Sequence, residues 1–277
     1  MKRPGSSSLL ALIFLFLPAP GFAQAQPNSL KSSPGLRIAD LGSWKVIHKG
    51  SELRKLVLER ADPHHVIELK MARFDGRWIA PRIVRSLHYN LPGTNVKTLA
   101  EKSGAVAMIN ANYFDEKGRP LGFLKTAADE VNPAISKSSL FTGIFAIKGR
   151  TPFILHRDNF SSQQADEGLQ VGPLLLLKGS ALAVTRGAGN KSRRSVVGLD
   201  KDYRMIIAVT DSFIGGLSWV ELQEIFGSEQ WQAQMTDLLN LDGGGSTQLY
   251  VKGPQIEEHV AGAADIPVAI GFFQRIN

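Results

Sequence analysis

Short apolar runs separated by Gly, Pro and Asp recur along the chain and constrain its fold most. Typical runs are HHVIELKM, SLFTGIFAIKG, LQVGPLLLLKG and YRMIIAVTD, which have the length and composition of β-strands. HHVIELKM alternates polar and apolar residues, as a strand with one buried face does. Strand-like and helix-like segments do not alternate regularly. The pattern therefore predicts an α+β fold with a mixed, largely antiparallel sheet core and a few flanking helices.

Two segments carry helix signals. In TNVKTLAEKSG, Asn95 or Thr94 is suited to cap the N-terminus and Gly104 is suited to end the helix. In SWVELQEIFG, Ser218 and Glu221 have the spacing of a capping box. The segment SEQWQAQMTDLL, which comes directly after it, is a candidate for a further helix that leads into a strand.

The N-terminus has the features of a signal peptide. Lys2 and Arg3 form a short basic region, an apolar run comes next, and AQA ends at Ala25 with the small residues that signal peptidase requires. A membrane anchor is the alternative, but the apolar run is shorter than the roughly 20 residues that span a bilayer. We therefore predict a cleaved signal peptide over residues 1–25 and a periplasmic or secreted protein.

The rest of the chain is expected to hold one folded unit. Residues 26–40 begin with a polar stretch containing two prolines and are predicted to be a flexible leader. Beyond this leader the chain contains no linker and no second long apolar segment. Residues 41–277 are therefore predicted to be a single domain without a membrane span.

Composition excludes several chemistries. The chain has no cysteine, which rules out disulfides, thiolate catalysis and cysteine-ligated metal centres. The net charge of +7 includes Lys2 and Arg3, so +5 remains after cleavage, and the basic residues are spread along the chain. This diffuse charge does not favour nucleic acid as a partner. It favours an anionic substrate such as a phosphate or a cell-envelope polymer.

The stretch LLNLDGGGSTQLYV is the most informative motif. Asp242 lies where a buried strand ends, and three glycines come directly after it. Successive N–H groups of such a turn can form a concave anion-binding nest, to which Ser246 and Thr247 would add hydroxyl donors. The alternative is an ordinary flexible hairpin loop.

Three further stretches place polar groups at strand ends. MINANYFD includes the end of a buried strand and carries Asn110 and Asn112, which alternation would direct to the same side. SRRSVVGLD opens a strand with Arg193 and Arg194 on opposite faces, so one would be solvated and the other could reach a site, where arginine is suited to bind phosphate. Asp211 ends the strand MIIAVTD. The structural alternatives are Asx turns for the asparagines and solvated surface positions for the arginines.

In this order, these stretches resemble the phosphodiester glycosidase family. The matching segments are AMINANYFDEKGRPLGFL, QVGPLLLLKG, RRSVVGLD, VTDSFIGGLSWVELQEIF and LLNLDGGGSTQLYV, within residues 105–251. Two features depart from the family pattern. Ala111 and Asn112 replace glycines before the aromatic residue, and SEQWQAQMTD is longer than usual.

The resemblance implies hydrolysis of a sugar-1-phosphodiester at the glycosidic C–O bond. The leaving group is a phosphomonoester, so donors that hold the phosphate would carry much of the catalysis. A carboxylate would activate water or stabilise positive charge at the sugar carbon, and the sequence does not decide between Asp211 and Asp242. The implied catalytic residues are Asp242, Asp211 and Asn112, and the implied substrate- or phosphate-binding residues are Asn110, Arg194, Gly243, Gly244, Gly245, Ser246 and Thr247.

Two other functions remain open at this stage. One is a non-catalytic carbohydrate- or envelope-binding module on the same fold, and the other is a metal-assisted phosphodiesterase that cuts the P–O bond. His64 and His65 are adjacent on a strand-like run and point to opposite faces, so they are poorly placed for joint metal ligation. No cofactor is firmly predicted, and a divalent cation stays open.

The signal-peptide prediction is tested by N-terminal sequencing of the protein recovered from an exporting bacterial host. We expect the mature chain to begin at Gln26, because AQA supplies the cleavage site. Mature protein that retains Met1 or Lys2 would contradict cleavage.

Overall fold

The structure is a computed structural model and describes residues 35–61, 64–184, 187–212 and 214–275. The predicted signal peptide and the leader up to residue 34 lie outside the described residues. The end of the predicted leader is a strand, Leu36–Asp40, paired antiparallel with Ser51–Ala61. The prediction of a flexible leader was therefore wrong for residues 36–40, because Leu36 and Ile38 pack against the core.

The described residues form nineteen strands and two α-helices. The strands are β1 (Leu36–Asp40), β2 (Lys45–His48), β3 (Ser51–Ala61), β4 (His64–Phe74), β5 (Ile79–Arg85), β6 (Ala107–Asn110), β7 (Leu124–Lys125), β8 (Glu130–Asn132), β9 (Gly143–Lys148), β10 (Thr151–His156), β11 (Glu167–Val171), β12 (Leu174–Leu177), β13 (Ser180–Ala181), β14 (Ser195–Leu199), β15 (Met205–Asp211), β16 (Asp237–Asn240), β17 (Leu249–Lys252), β18 (Glu257–Val260) and β19 (Val268–Gln274). The helices are α1 (Val96–Ser103) and α2 (Trp219–Gly227). Short 3₁₀ turns cover Ser86–Tyr89, Arg157–Asn159, Ser162–Gln164, Glu229–Trp231 and Gly244–Ser246.

The strands assemble into three sheets. The first has nine strands in the order β1-β3-β4-β15-β14-β16-β12-β13, with β2 also paired to β3. The second has the order β10-β9-β11-β7-β8, and the third has the order β18-β17-β6-β19-β5. The prediction of a sheet-rich α+β fold is confirmed. The sheets are not mixed, because every strand pairing in the described residues is antiparallel.

The centre of the first sheet is buried on both faces. Val197, Ile207 and Leu239 point toward the other two sheets, where the largest apolar cluster lies. Val196 and Leu238 point the opposite way, toward the apolar side of α2. Burial on both faces explains why β14, β15 and β16 read as nearly continuous apolar runs rather than as alternating ones.

Local capping sets the limits of both helices. Asn95 caps α1 by accepting a bond from the Thr98 N–H, and Gly104 ends it in the left-handed conformation. The capping box of Ser218 and Glu221 starts α2, as predicted. In the described residues, neither helix has the length and apolar character needed to cross a membrane.

The predicted helix over residues 228–239 is wrong. Only the 3₁₀ turn Glu229–Trp231 forms there, and Gln232 then adopts a left-handed conformation that stops any helix. The Trp231 and Met235 side chains are buried in the apolar cluster between the first sheet and α2. Tertiary burial of these two side chains therefore overrides the helical propensity of the segment.

A substitution at Phe272 tests where the largest apolar cluster lies. The Phe272 ring stacks on Phe74 with 4.0 Å between centroids, and the side chain is fully buried. We expect Phe272→Ala to lower the free energy of unfolding by about 3–5 kcal/mol in urea denaturation, because it removes packed apolar surface and leaves a cavity. The matched control Val46→Ala removes an exposed side chain and should change stability by less than about 0.5 kcal/mol. Equal effects of the two substitutions would contradict this core.

Candidate active site

The buried side chain of Asn110 joins the third sheet to the first sheet and to the loop at residues 243–247, called here the glycine loop. Its Nδ2 donates to the Asp242 carbonyl at 2.7 Å. Its Oδ1 accepts from the Ser195 hydroxyl at 2.7 Å and from the Gln248 N–H at 3.1 Å. Because both ends of the amide are bonded within the chain, Asn110 is placed to hold other residues rather than to face a substrate.

Two of the three glycines are required by the backbone geometry of the loop. A β-carbon on Gly243 would lie 2.8 Å from the Arg193 carbonyl oxygen, which is too close for any other residue. Gly244 has a φ of +59°, in the left-handed region that favours glycine. Its N–H donates to the same Arg193 carbonyl at 2.9 Å. The glycines therefore let the loop pack closely against the start of β14.

Much of the predicted anion nest is already bonded within the chain. The Gly243 N–H donates to the Asp242 carboxylate at 2.8 Å. The Ser246 and Thr247 N–H groups donate to carbonyls within the loop at 3.1 and 3.3 Å. An anion at this loop would therefore have to be held largely by other donors, and Arg194 is a candidate.

The Asp242 carboxyl is largely buried. Burial raises its pKa above the ordinary 3.8, and hydrogen bonds from the Ser246 hydroxyl and the Gly243 N–H offset this only in part. Its backbone is fixed as well, because the Asp242 N–H donates to the Ala111 carbonyl at 2.9 Å. A carboxyl with a raised pKa in a fixed position is suited to proton transfer.

Strand register brings Arg194 opposite Asp242. In the antiparallel pair β14–β16, Val196 lies opposite Asn240. The next residues outward remain paired, because the Leu241 N–H donates to the Ser195 carbonyl at 2.8 Å. One further step places Arg194 across from Asp242. Residues directly opposite each other point to the same face of a sheet, with β-carbons about 5 Å apart. The acid and the guanidinium therefore share one face.

The Arg194 side chain is buried and held along one edge. Its Nε donates to the Leu217 carbonyl at 2.9 Å, and its Nη2 donates to the Asn190 carbonyl. The guanidinium carbon lies 4.8 Å from the centre of the Trp219 ring, in a cation–π contact. Within the described residues these bonds do not use Nη1, so this nitrogen is a donor that can serve a ligand.

Tyr113 is bonded to Asn240, two residues before Asp242. Its hydroxyl donates to the Gly172 carbonyl at 2.9 Å and accepts from the Asn240 Nδ2 at 3.3 Å. Burial raises the pKa of the phenol, the Asp242 charge raises it further, and the Arg194 charge opposes the change. The charges of Asp242 and Arg194 thus act on the same phenol in opposite directions.

Asp211 lies on the opposite face of the first sheet. Continuing the β14–β15 register places it across from Arg193, whose Nη2 donates to the carbonyls of Thr247 and Ala261 at 3.2 and 2.8 Å. The Asp211 carboxylate forms an ion pair with Lys70 at 2.8 Å. The same lysine contacts Glu258 of the third sheet at 2.7 Å. The structure thus separates Asp211 from the face that carries Asp242.

Several buried polar atoms in the stretches that carry Asp242 and Tyr113, or in contact with Arg194, have no hydrogen-bond partner within the described residues. They include Asn112 Oδ1, Asn240 Oδ1, Thr247 Oγ1 and Trp219 Nε1. Asn112 uses its Nδ2 on the Tyr113 carbonyl at 2.9 Å, which leaves the oxygen unmatched. Unmatched buried polar atoms are uncommon in native proteins, so their accumulation marks a place where ligand or water is expected to bond.

A cavity of about 290 Å³ opens beside Trp219. It is also lined by Ser139, Leu140, Thr142, Pro173, Ala183, Val184 and Gly187. Trp219 therefore separates this space from the Arg194 guanidinium.

The predicted residues thus divide into three groups. Asp242 and Arg194 share one face by strand register, and Asn112 comes directly before Tyr113, which is bonded to Asn240. Asn110 and the glycine loop form the second group, because they bond to the Asp242 carbonyl and carboxylate. Asp211 lies on the other face. Sequence reasoning did not assign Tyr113, Asn240 or Trp219, although all three lie within or beside a motif that it singled out. Among the described residues, no group of three or more His, Cys, Asp or Glu could hold a metal ion, and the divalent cation stays a prediction.

Comparison with known proteins identifies the family. The family model described as phosphodiester glycosidase matches residues 103–273, more than half of the chain. The chain therefore belongs to the phosphodiester glycosidase family, and the matched range contains the candidate site. A search of curated proteins found no match.

Two solved structures share the fold. One is the zebrafish N-acetylglucosamine-1-phosphodiester alpha-N-acetylglucosaminidase catalytic domain, auto-inhibited by its pro-peptide, with 16% identity and a TM-score of 0.62. That match covers 90% of this chain and 87% of the zebrafish chain. The other is a hypothetical protein from Synechocystis, with 15% identity and a TM-score of 0.60, covering 88% of this chain and 64% of that chain. At such identities the likeness shows the fold alone.

The raised pKa of Asp242 gives a pH-dependent stability prediction. A carboxyl whose folded-state pKa is raised contributes stability below its ordinary pKa of 3.8, and this is lost as pH rises through the folded-state pKa. Asparagine has no charge to bury. We therefore expect Asp242→Asn to match the parent protein in thermal unfolding near about pH 3 and to be at least as stable at neutral pH.

The control is Asp211→Asn, which breaks the ion pair with Lys70. It should give no such gain at neutral pH. A parent protein that is clearly more stable than Asp242→Asn at neutral pH would contradict the assigned burial of this carboxyl.

Proposed function

We propose that this protein is an exported hydrolase that cleaves the glycosidic C–O bond of a sugar-1-phosphodiester. The observation that carries the proposal is the register of β14 and β16, whose continuation puts Asp242 across from Arg194 within the range matched by the family. The Asp242 carboxyl can act at the sugar carbon, and the Arg194 guanidinium can bind the phosphate. The substrate would be a sugar phosphate or an envelope glycopolymer. The predicted signal peptide favours the periplasm or the exterior.

The proposed reaction breaks the bond between the sugar C1 and the bridging phosphate oxygen. The bonding electron pair leaves with that oxygen, and the departing group becomes a phosphomonoester on its acceptor. A water oxygen bonds to C1 and its proton passes to the Asp242 carboxylate. Because the phosphate gains negative charge as the bond breaks, Arg194 would stabilise the transition state more than the bound substrate.

The raised pKa of Asp242 suits the role of general base. A base is most effective when its pKa lies nearer the working pH than that of an exposed carboxyl. The phosphomonoester is a much less basic leaving group than an ordinary alkoxide. A second carboxylic acid, which most glycosidases use to protonate the leaving oxygen, is therefore less necessary here.

Asn112 and Thr247 are proposed to orient the sugar. Each carries a buried oxygen without a partner in the described part of the chain, and each belongs to a stretch that borders Asp242. Sugar hydroxyls or a bound water would satisfy these atoms. Asn112 is thus proposed as a binding residue beside the reacting carbon.

Asp242→Asn tests the proposed function. The substitution keeps the shape and the acceptor for the Gly243 N–H but removes the charge. We expect release of sugar from a chromogenic sugar-1-phosphodiester to fall by about 10²-fold or more, the usual scale for losing a positioned acid–base group. Each rate is divided by the folded fraction of the same preparation.

Asp211→Asn is the matched control, because it changes the other strand-end aspartate on the opposite face. We expect it to keep most of the parent rate. A larger loss in Asp211→Asn than in Asp242→Asn would reverse the assignment.

Binding without turnover by the parent would indicate a binding module. If chelation abolishes activity, a divalent cation should restore the parent but not Asp242→Asn.

A further inference from the structure

A buried ion pair connects β3 to the start of α2. The Arg60 Nη1 lies 2.6 Å from the Glu221 Oε1, and the two side chains are only 3% and 4% exposed. Burying two charges is costly, and replacing such a pair by apolar side chains often leaves stability unchanged. A contribution to the free energy of unfolding therefore does not by itself explain why Arg60 and Glu221 are buried together.

Glu221 uses its second oxygen to fix the helix start. Its Oε2 accepts from the Ser218 N–H at 2.8 Å, and its own N–H donates to the Ser218 hydroxyl at 3.2 Å. Burial tends to raise the pKa of Glu221, but bonds from Arg60 and Ser218 outweigh this and lower it. The carboxylate thus stays charged and holds the first turn of α2 against β3.

Arg60 also reaches the segment that precedes α2. Its Nη2 donates to the Gly216 carbonyl at 3.3 Å. Its Nε is buried without a partner among the described residues, so the Arg60 guanidinium leaves one of its donors unused. Gly216 is itself tightly packed, because a β-carbon there would lie 2.0 Å from the Ser192 carbonyl oxygen.

The next residue carries the contact to Arg194. The Leu217 carbonyl accepts from the Arg194 Nε at 2.9 Å, and Leu217 also pairs with Ser192 through backbone bonds of 3.0 and 3.2 Å. Trp219, the first residue of α2, lies against the guanidinium. A continuous set of contacts therefore runs from Arg60 through this segment to Arg194.

We propose that Arg60 and Glu221 are positioning residues, which hold the 216–219 segment so that the Arg194 guanidinium is fixed for the substrate phosphate. Both residues lie on the α2 side of the first sheet, as Arg194 does, but they bond to Gly216 and Ser218 on either side of Leu217. The Glu221 charge also reaches Arg194 directly, because it opposes the lowering of the Arg194 pKa by burial. This inference rests on the proposed function, in which Arg194 binds the phosphate.

The test variant is the double substitution Arg60→Met/Glu221→Gln. Removing both charges avoids leaving one of them buried and unpaired. Glutamine keeps an oxygen that can accept from the Ser218 N–H, so the capping box can persist. The bond to the Gly216 carbonyl is lost.

Arg54→Met is the matched control. Arg54 lies on the same face of β3, is equally buried at 3% exposure, and also donates to backbone carbonyls. Its carbonyl partners are in Leu41, Trp231 and Gln232 and not in the 216–219 segment. Arg54→Met should lower stability but leave kcat/KM per folded molecule unchanged.

We expect the double variant to lose about tenfold in kcat/KM, since misplacement of about 1 Å at a distance from the chemistry can cost up to 10²-fold. The decisive comparison repeats the substitution in an Arg194→Lys background. If Arg60 and Glu221 act through Arg194, most of the additional loss should disappear there. An equal loss in both backgrounds, or no loss in the parent background, would overturn the proposal.

A second measurement does not depend on activity. The Arg194 Nε–H resonance can be assigned by its absence in Arg194→Lys, and its bond to the Leu217 carbonyl should protect it from exchange with water. We expect this protection to fall at least about tenfold in Arg60→Met/Glu221→Gln and to persist in Arg54→Met. Unchanged protection in the double variant would overturn the proposal. If the parent protein hydrolyses no sugar-1-phosphodiester, the proposed function fails while this resonance still decides the positioning role.

Discussion

The buried amide of Asn110 is the contact on which the candidate site depends. One side chain bonds the glycine loop through the Asp242 carbonyl, β14 through Ser195, and the start of β17 through Gln248. A buried amide with all these partners is directional, so it fixes where two sheets meet more narrowly than apolar packing can. The position of the Asp242 carboxyl relative to β14 follows from this junction.

Alternation along β14 then separates two sets of charges. Arg194 points toward α2 and shares a face with Asp242, whereas Arg193 points between the sheets and shares a face with Asp211. On the first face, the carboxyl and the guanidinium keep atoms that a ligand can use. On the second face, Asp211 is engaged by Lys70 and Arg193 by backbone carbonyls. Two sequence-adjacent arginines thus perform different tasks because a strand has a period of two.

The sequence alone predicted the local features well. The caps of both helices depend on residues three or four positions apart, and the strand ends that carry Asn110, Asp211 and Asp242 follow directly from apolar runs. The ordered motifs also identified the family. These features succeed because each is determined within a few residues of the chain.

The features that sequence did not predict depend on distant residues. The segment at 228–239 contains helix-forming residues, but burial of Trp231 and Met235 against the core prevents a helix. The donors of the glycine loop are partly used by Asp242 and Arg193, which only the folded loop reveals. The opposed positions of Asp211 and Asp242 follow from the strand order β15-β14-β16, which no local pattern encodes.

Burying the Asp242 carboxyl opposes folding at neutral pH, yet it raises the pKa of the group toward a value useful in proton transfer. In the proposed reaction, water attacks the sugar carbon beside this acid and not the phosphorus. Hydrolysis of a sugar-1-phosphodiester in ¹⁸O-labelled water tests this claim most directly, with the label read by mass spectrometry in the phosphate product. C–O cleavage predicts an unlabelled phosphomonoester and labelled sugar. Incorporation of ¹⁸O into the phosphate would contradict the claim, because it would mean that the P–O bond is cut.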